Sequence, residues 1–250
     1  MDLIIPEWNG VPDNIGMLST LRYGGVSCAP YDDRGGGNGL NLGIHVGDQS
    51  EAVYQNRALL QTLLPAQPAW LSQIHGATVV DAAQAVGAPE ADASITTQRG
   101  VVCAILVADC LPVLFCDAAG RVVGTAHAGW RGLASGVLEN TVAGMRKKGA
   151  TEILAWFGPA IGPQSFEVGE EVFKAFVAID IKTQAAFVPL QGRPGKYLAD
   201  IYQLARTILE RIGVHRIDGG GFCTVSDARR FYSYRRDRIT GRMASLIWIK

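Results

Sequence analysis

The run VVCAILVA, residues 101–108, is apolar at every position and half of its side chains are β-branched. An apolar run of this length without polar alternation predicts a strand that is buried on both faces. The strand ends at Asp109 and Cys110, which places a carboxylate and a thiol at the end of a buried element. The run is less than half as long as a membrane-spanning helix, so no membrane segment is expected here.

A hairpin is predicted directly after this strand. Residues 112–116 and 121–127 form two further strand patterns, and the turn sequence DAAG at 117–120 separates them. The second arm of the hairpin ends at His127. The sequence thus places a cysteine at the end of one predicted strand and a histidine at the end of another.

Helical spacing of apolar residues follows, from Leu133 to Met145, with Gly149 as the expected C-cap. Two more helices are predicted over residues 170–178 and 198–212, and a closing strand over 244–249. These patterns indicate a mixed α/β class. The stretch 31–43 is rich in glycine and predicts a shaped loop, but it lacks the Gly-Lys-Ser/Thr of a phosphate-binding P-loop.

Composition favours one compact unit with a small-molecule partner. The chain has 250 residues, of which 48% are hydrophobic, and 23 Lys and Arg balance 23 Asp and Glu. We expect a single domain over residues 1–250, without a field that would attract nucleic acid or a membrane. The basic and aromatic cluster at 229–238 is typical either of an RNA-stacking patch or of an exposed strand edge.

Cysteine usage and the N-terminal residues indicate a reducing compartment. Five cysteines without a C-x-x-C pair do not describe a disulfide framework. The first residues show no signal-peptide pattern, so we expect a cytoplasmic protein. For its assembly we expect a monomer or a small homo-oligomer.

Three residues form a candidate metal set, His75, Cys110 and His127. Two imidazoles and one thiolate suit zinc, and three protein ligands leave a fourth position for water or substrate. Their spacings match no local zinc signature. On residues alone, buried or hydrogen-bonded histidines and a small apolar cysteine are the favoured explanation of the pattern.

The chain resembles the YfiH-like family, also called laccase-domain or polyphenol-oxidase-like, from about residue 24 to its C-terminus. The motifs that carry the resemblance are SQIHG (72–76), ADCLPV (108–113), TAHAGWRG (125–132), FGPAIGP (157–163), FCT (222–224) and YSYRRD (232–237). By this resemblance His75, Cys110 and His127 are the metal ligands and catalytic residues. The resemblance also implies packed β-sheets flanked by helices, a fold likened to that of a deamidating toxin.

The implied activity is zinc-dependent chemistry on purine nucleosides. It comprises phosphorolysis of adenosine, inosine, guanosine and methylthioadenosine, together with deamination of adenosine, so purine nucleoside and phosphate are the expected partners. For deamination, zinc would lower the pKa of a bound water, and the resulting hydroxide would attack C6 of the purine. Some bacterial members have also been linked to editing of peptidoglycan precursors.

Three other functions remain open. Copper is a second candidate metal, because a His₂Cys site can bind it, but four histidines cannot also supply the cluster of a multicopper oxidase. A cysteine hydrolase would use Cys110 as nucleophile and His127 as base. A binding module without turnover is the third.

Substrate contacts are expected from Asn41 in the glycine-rich loop and from Arg131, which lies four residues after His127. Trp130 is a candidate for base stacking, and residues 222–224 for closing the pocket. Asp109 is expected to point away from Cys110 because neighbours in a strand alternate. It is also a candidate partner of a ligand histidine.

Overall fold

The computed structural model describes residues 2–250 as a mixed α/β fold. Its strands are β1 (Leu3–Ile4), β2 (Ile15–Thr20), β3 (Tyr23–Ser27), β4 (Pro68–Ala69), β5 (Val79–Asp81), β6 (Ala93–Thr96), β7 (Val102–Val107), β8 (Leu111–Asp117), β9 (Val123–Ala128), β10 (Ile153–Phe157), β11 (Glu167–Gly169), β12 (Phe187–Pro189), β13 (Lys196–Ala199), β14 (Arg216–Gly219) and β15 (Met243–Ile249). Its helices are α1 (Ser50–Gln61), α2 (Trp130–Ala134), α3 (Val137–Lys147), α4 (Glu170–Ile179), α5 (Ile201–Arg211) and α6 (Tyr234–Asp237). The mixed α/β class predicted from the sequence is confirmed.

Most strands belong to two large sheets. One sheet has the order β1-β2-β15-β7-β4 and the other the order β14-β10-β8-β9-β6-β5, while β11, β13 and β12 form a small antiparallel sheet. The predicted buried strand is β7, and each of its six residues is buried. The predicted hairpin is β8 and β9, which pair antiparallel from Leu111 opposite Ala128 to Cys116 opposite Val123.

The two large sheets pack face to face. Cys103 and Ile247 from one sheet share an apolar cluster with Leu114, Val123 and Trp156 from the other. Buried side chains of α3 and α5 cover the outer face of the six-stranded sheet. Leu60 of α1 packs with β7 and β15 on the outer face of the five-stranded sheet. The layers therefore run helix, sheet, sheet, helix, as the family resemblance implies.

The three predicted helices are present, with differences in their bounds and with further helices that the sequence analysis did not predict. Leu133 belongs to the short α2, because Gly136 adopts a left-handed φ of 90° and separates it from α3. Helix α5 begins at Ile201 rather than residue 198, since the Asp200 carboxylate caps it by accepting from the backbone N–H of Tyr202 and Gln203. Helix α1 was not predicted.

The basic and aromatic cluster is not a strand edge, and that expectation was wrong. Phe231 and Tyr232 are fully buried, and the chain then turns into α6, where Ser233 caps the helix by accepting from Arg236 N–H. Tyr232 has the buried Arg22 guanidinium 4.6 Å from its ring centre. Fully burying such an aromatic side chain contributes roughly 1.5–3 kcal/mol. The two aromatic side chains are therefore core residues that fix where Tyr234 and Arg235 lie.

Candidate functional site

The structure brings His75, Cys110 and His127 together. Their ligand atoms all lie within 4.8 Å of one another, and Cys110 Sγ is 3.7 Å from His75 Nε2. Cys110 sits between β7 of one large sheet and β8 of the other, whereas His127 lies within β9. The segment that carries His75 is tied to β7, because Gln73 exchanges two hydrogen bonds with the backbone of Leu106.

Asp92 is the anchor of both histidines. Its fully buried carboxylate accepts from His127 Nδ1 at 2.7 Å and from the backbone N–H groups of Ile74, His75 and Gly76 at 2.7–3.1 Å. These bonds hold His75 in a left-handed conformation, φ 60°, which a residue with a side chain rarely adopts. Because Asp92 occupies Nδ1, Nε2 is the ring nitrogen of His127 that a metal ion could bind.

Charges in this cluster favour a thiolate beside an imidazolium in the metal-free protein. Burial alone would raise the pKa of Cys110, but the charge of His127 and hydrogen bonds from His127 and His75 outweigh it and lower the pKa to about 6. Burial alone would lower the pKa of His127, but Cys110 and Asp92 raise it to about 9. A thiolate is the form of cysteine that binds a metal.

The donor set fits a zinc ion. Zinc bond lengths of about 2.0–2.1 Å to nitrogen and 2.3 Å to sulfur put tetrahedral ligand atoms about 3.3–3.6 Å apart. The 3.7 Å between Cys110 Sγ and His75 Nε2 is close to that spacing. The three side chains could therefore hold a metal ion with small movements, and a fourth position would remain free.

A cavity of about 450 Å³ adjoins the triad. This volume is within the range of roughly 300–1,000 Å³ typical of small-molecule sites. Its apolar lining comprises Leu106, Ala108, Trp130, Ile161, Phe166 and Ile201. Its polar lining, besides the triad, comprises His45, Gln73, Asp109, Arg131, Tyr234, Arg235 and Arg242.

Of the three residues expected near the substrate, two line the cavity and one does not. Arg131 and Trp130 do line the cavity, with the Arg131 guanidinium 4.5 Å from the Trp130 ring centre. Asn41 does not, because it is fully buried and its amide is used within the protein: Oδ1 accepts from Gly43 N–H and Arg242 N–H, and Nδ2 donates to Asp48. Asn41 thus supports the cavity wall at Arg242 instead of facing substrate.

Asp109 is not in a strand, which corrects the argument from alternation. The chain leaves β7 at Val107, and Asp109 has a φ of 93°. Its carboxylate accepts from Thr224 Oγ1 and from the backbone N–H of Arg235, both at 2.6 Å. Asp109 therefore joins segments that are distant in the sequence, and the partner of the ligand histidine is Asp92.

Residues 222–224 stand behind the cavity wall rather than across its mouth. Thr224 is fully buried and its hydroxyl donates to the Asp109 carboxylate, and Cys223 packs against Gly162. None of the three is among the residues that line the cavity. Their contribution is to hold the loop that carries Asp109.

The sequence-based candidates omitted Asp92, His45, Arg235 and Arg242. Asp92 follows an alanine just before β6, and nothing local marks it as the partner of residues 75 and 127. Arg235 appears in the sequence analysis only as part of the basic cluster at 229–238, and Arg242 lies outside that cluster. Their role depends on where β15 and α6 meet the loop around residue 43, which is a long-range property of the fold.

Membrane insertion of a helix is not supported. None of the helices in residues 2–250 combines the length and the apolar character that crossing a membrane requires.

Comparison with known sequences places this site in a family. Residues 16–250 match a family model described as multi-copper polyphenol oxidoreductase laccase. A protein of Pseudomonas aeruginosa named purine nucleoside phosphorylase is 51% identical over 247 residues, which cover 99% of this chain and 98% of that protein. The Escherichia coli purine nucleoside phosphorylase YfiH is 50% identical over 250 residues, covering 99% and 98%.

Solved structures agree in fold. A crystal structure of a Neisseria meningitidis protein superposes with a TM-score of 0.91 at 48% identity and covers 100% of both chains. A Bacillus licheniformis hypothetical protein called YfiH superposes with a TM-score of 0.86 at 28% identity, covering 98% of this chain and 94% of that one.

Proposed function

The chain belongs to the YfiH-like family, and from that premise we propose that it is a zinc-dependent purine nucleoside phosphorylase. The observation that carries the proposal is the opening of the His75–Cys110–His127 triad into a cavity that three arginines also line. A metal site beside cationic side chains matches a reaction between a nucleoside and phosphate. Relatives 50–51% identical over nearly their whole length carry the name of that activity.

In phosphorolysis a phosphate oxygen forms a bond to the anomeric carbon of the sugar, and the bond from that carbon to the base nitrogen breaks. The electron pair stays on the base nitrogen, which takes up a proton, and the products are a sugar 1-phosphate and the free base. The apolar side of the cavity, which includes Trp130, Ile161 and Phe166, suits a purine. The arginines suit phosphate.

The three ligands would hold zinc in this proposal. When bound, zinc supplies a Lewis acid and lowers the pKa of water, which also serves deamination of adenosine. His127 would coordinate through Nε2 because Asp92 occupies Nδ1. We favour zinc over copper because two imidazoles and a thiolate suit zinc and no further histidine cluster adjoins the site among residues 2–250.

We propose adenosine, inosine, guanosine and methylthioadenosine as the nucleosides and the cytoplasm as the location. Trp130 and Arg131 remain our candidates for contact with base and sugar. A single domain over residues 1–250 remains a prediction.

A second candidate is a cysteine hydrolase, and one observation favours it. Cys110, His127 and Asp92 are arranged as a nucleophile, a base and a carboxylate that orients the base. The neighbouring histidines lower the pKa of the Cys110 thiol to about 6. Cys110 and His127 take part in both functions, as metal ligands in one and as nucleophile and base in the other. The metal content of the active protein distinguishes them.

The test combines metal content with turnover. Wild type, Cys110→Ala and Cys28→Ala are purified without added metal, and zinc and copper are quantified by mass spectrometry. We expect near-stoichiometric zinc and phosphate-dependent release of hypoxanthine from inosine in the wild type, and loss of both in Cys110→Ala. Cys28 is exposed and outside the cavity lining, so Cys28→Ala should resemble the wild type. A metal-free wild type without phosphorolysis would contradict the proposal.

A further inference from the structure

The cavity lining contains three arginines and one carboxylate. Arg131, Arg235 and Arg242 line the cavity, and none of them forms an ion pair with a carboxylate among residues 2–250. Asp109 is the one carboxylate in the described lining. Both of its oxygens already accept protein hydrogen bonds, from Thr224 and from the Arg235 backbone.

Arg242 is the most constrained of the three. Its Nη1 donates to the carbonyl oxygens of Thr240 at 3.0 Å and Gly241 at 3.1 Å, while Nε and Nη2 have no acceptor in the part of the chain that the structure describes. Asn41 fixes its backbone through a 2.8 Å bond to Arg242 N–H. A half-buried guanidinium with two free donors gains charge-assisted hydrogen bonds when an anion binds there.

The surroundings of His45 indicate positive charge in the same part of the cavity. Burial, and then the charges of Arg242 and Arg57, lower the pKa of His45, which lines the cavity beside Arg242. Arg57 itself donates to the carbonyl oxygen of Leu42 and lies over the Trp70 ring. The part of the cavity near residues 42–45 is therefore cationic even with His45 neutral.

Arg235 is held by two different anchors. Its backbone N–H donates to Asp109 at 2.6 Å, and its Nη1 donates to the carbonyl oxygen of Glu167 at 3.0 Å. Its guanidinium lies 5.8 Å from the Phe166 ring centre. Arg131 differs, because it is exposed and has no hydrogen-bonded anchor for its guanidinium among residues 2–250. Arg235 and Arg242 are thus the two pre-positioned donors in the cavity.

We propose that Arg242 and Arg235 form the subsite that holds a phosphate group in this cavity, with Asn41 as the residue that positions Arg242. The inference rests on the proposed function and adds the residues that would bind its anionic substrate. Two sources share this chemistry: free phosphate, the nucleophile of phosphorolysis, and the phosphate of a nucleoside 5′-monophosphate. Planar guanidinium groups suit either one, since they donate in pairs to phosphate oxygens.

Kinetics of five proteins test the assignment: wild type, Arg242→Gln, Arg242→Lys, Arg235→Gln and the control Arg99→Gln. The Arg99 side chain is exposed and makes no hydrogen bond or ion pair within residues 2–250. Arg99→Gln therefore removes one positive charge, as the other glutamine variants do, at a position outside the cavity lining. Each protein is first checked for zinc content and melting temperature. Rates of inosine phosphorolysis are then measured against phosphate and against inosine separately.

We expect KM for phosphate to rise about tenfold or more in Arg242→Gln and in Arg235→Gln, because each removes charge-assisted hydrogen bonds. KM for inosine should stay within about twofold of wild type, and Arg242→Lys should recover part of the loss because it keeps the charge. An unchanged KM for phosphate in both glutamine variants would overturn the subsite while leaving phosphorolysis intact.

Direct binding separates the subsite from the proposed function. Phosphorus NMR line broadening of inorganic phosphate is measured without nucleoside on the zinc-loaded proteins, and inosine 5′-monophosphate is tested in the same way. Broadening by wild type that both glutamine variants lose supports the subsite even if the wild type proves inactive toward nucleosides. Loss for the nucleotide alone would assign the subsite to a nucleotide phosphate, and equal broadening by every variant would refute it.

Discussion

His127 Nδ1 lies 2.7 Å from Asp92 Oδ1, and this carboxylate also receives the backbone N–H of His75. One buried side chain therefore orients the ring of one candidate metal ligand and the loop that carries a second. Partners of this kind typically change metal affinity about 10- to 100-fold when they are removed.

Asp92→Asn should lower zinc affinity by about 10- to 100-fold, because the neutral amide no longer fixes both the His127 ring and the His75 loop. Competition with a chromophoric chelator measures the affinity. Asp117→Asn is the matched control, since Asp117 is equally buried and accepts two backbone N–H groups, but at a hairpin turn. Equal zinc affinity of Asp92→Asn and wild type would contradict the assigned role.

Gly129→Ala should fold and yet bind metal poorly. The backbone of Gly129 suits alanine, with φ −66°, but a Cβ there would lie 2.9 Å from Cys110 Sγ and 3.0 Å from His75 Cδ2. We expect a near-normal melting temperature for the metal-free protein and a loss of zinc affinity of about tenfold or more. Gly35→Ala, where the added Cβ meets only Asp33 at 3.5 Å, should change neither property.

Alkylation of Cys110 in the metal-free protein should be half-maximal near pH 6, because the neighbouring histidines lower its pKa to about 6 and the reactive thiolate predominates above that pH. Bound zinc should suppress the reaction. Mass spectrometry after iodoacetamide treatment over pH 5–9 checks this, with Cys103 and Cys116 as internal controls, since burial raises the pKa of each to about 12. A midpoint near pH 9 would show that His127 carries no charge beside the thiol.

Asn41→Ala should destabilise the fold by about 2–4 kcal/mol, because it leaves the buried N–H groups of Gly43 and Arg242 without acceptors. Urea denaturation measures the loss. KM for inosine should change less than about twofold in the protein that remains folded, since Asn41 does not reach the cavity. A large rise in that KM without loss of stability would restore Asn41 as a substrate contact.

The strongly apolar elements could be predicted from the sequence because burial determines them locally. Strand β7 follows from an uninterrupted apolar run, and the hairpin of β8 and β9 follows from two strand patterns around the turn at 117–120. Helix α1 was missed because one of its three buried positions is Asn56, whose amide bonds Ser27 and the carbonyl oxygen of Asn41. A polar side chain buried for such bonds interrupts the apolar periodicity on which the prediction depends.

The triad could be named only through the family motifs, since its spacing matches no local zinc signature. Asp92 and the arginine subsite could not be predicted at all from local patterns. Asp92 contacts residues 16–35 positions away, and Arg242 depends on a residue 201 positions away. Contacts at such separations are properties of the folded chain, not of any one segment.

The position of Cys110 between the two large sheets links the geometry of the candidate metal site to the spacing of those layers. His127 belongs to the six-stranded sheet, Cys110 lies where the chain passes from one sheet to the other, and Gln73 ties the His75 segment to β7. An ion bound by all three side chains would link the two sheets. Substitutions that repack the core between the sheets, at Leu114 or Trp156, should thus change metal affinity although they leave His75, Cys110 and His127 in place.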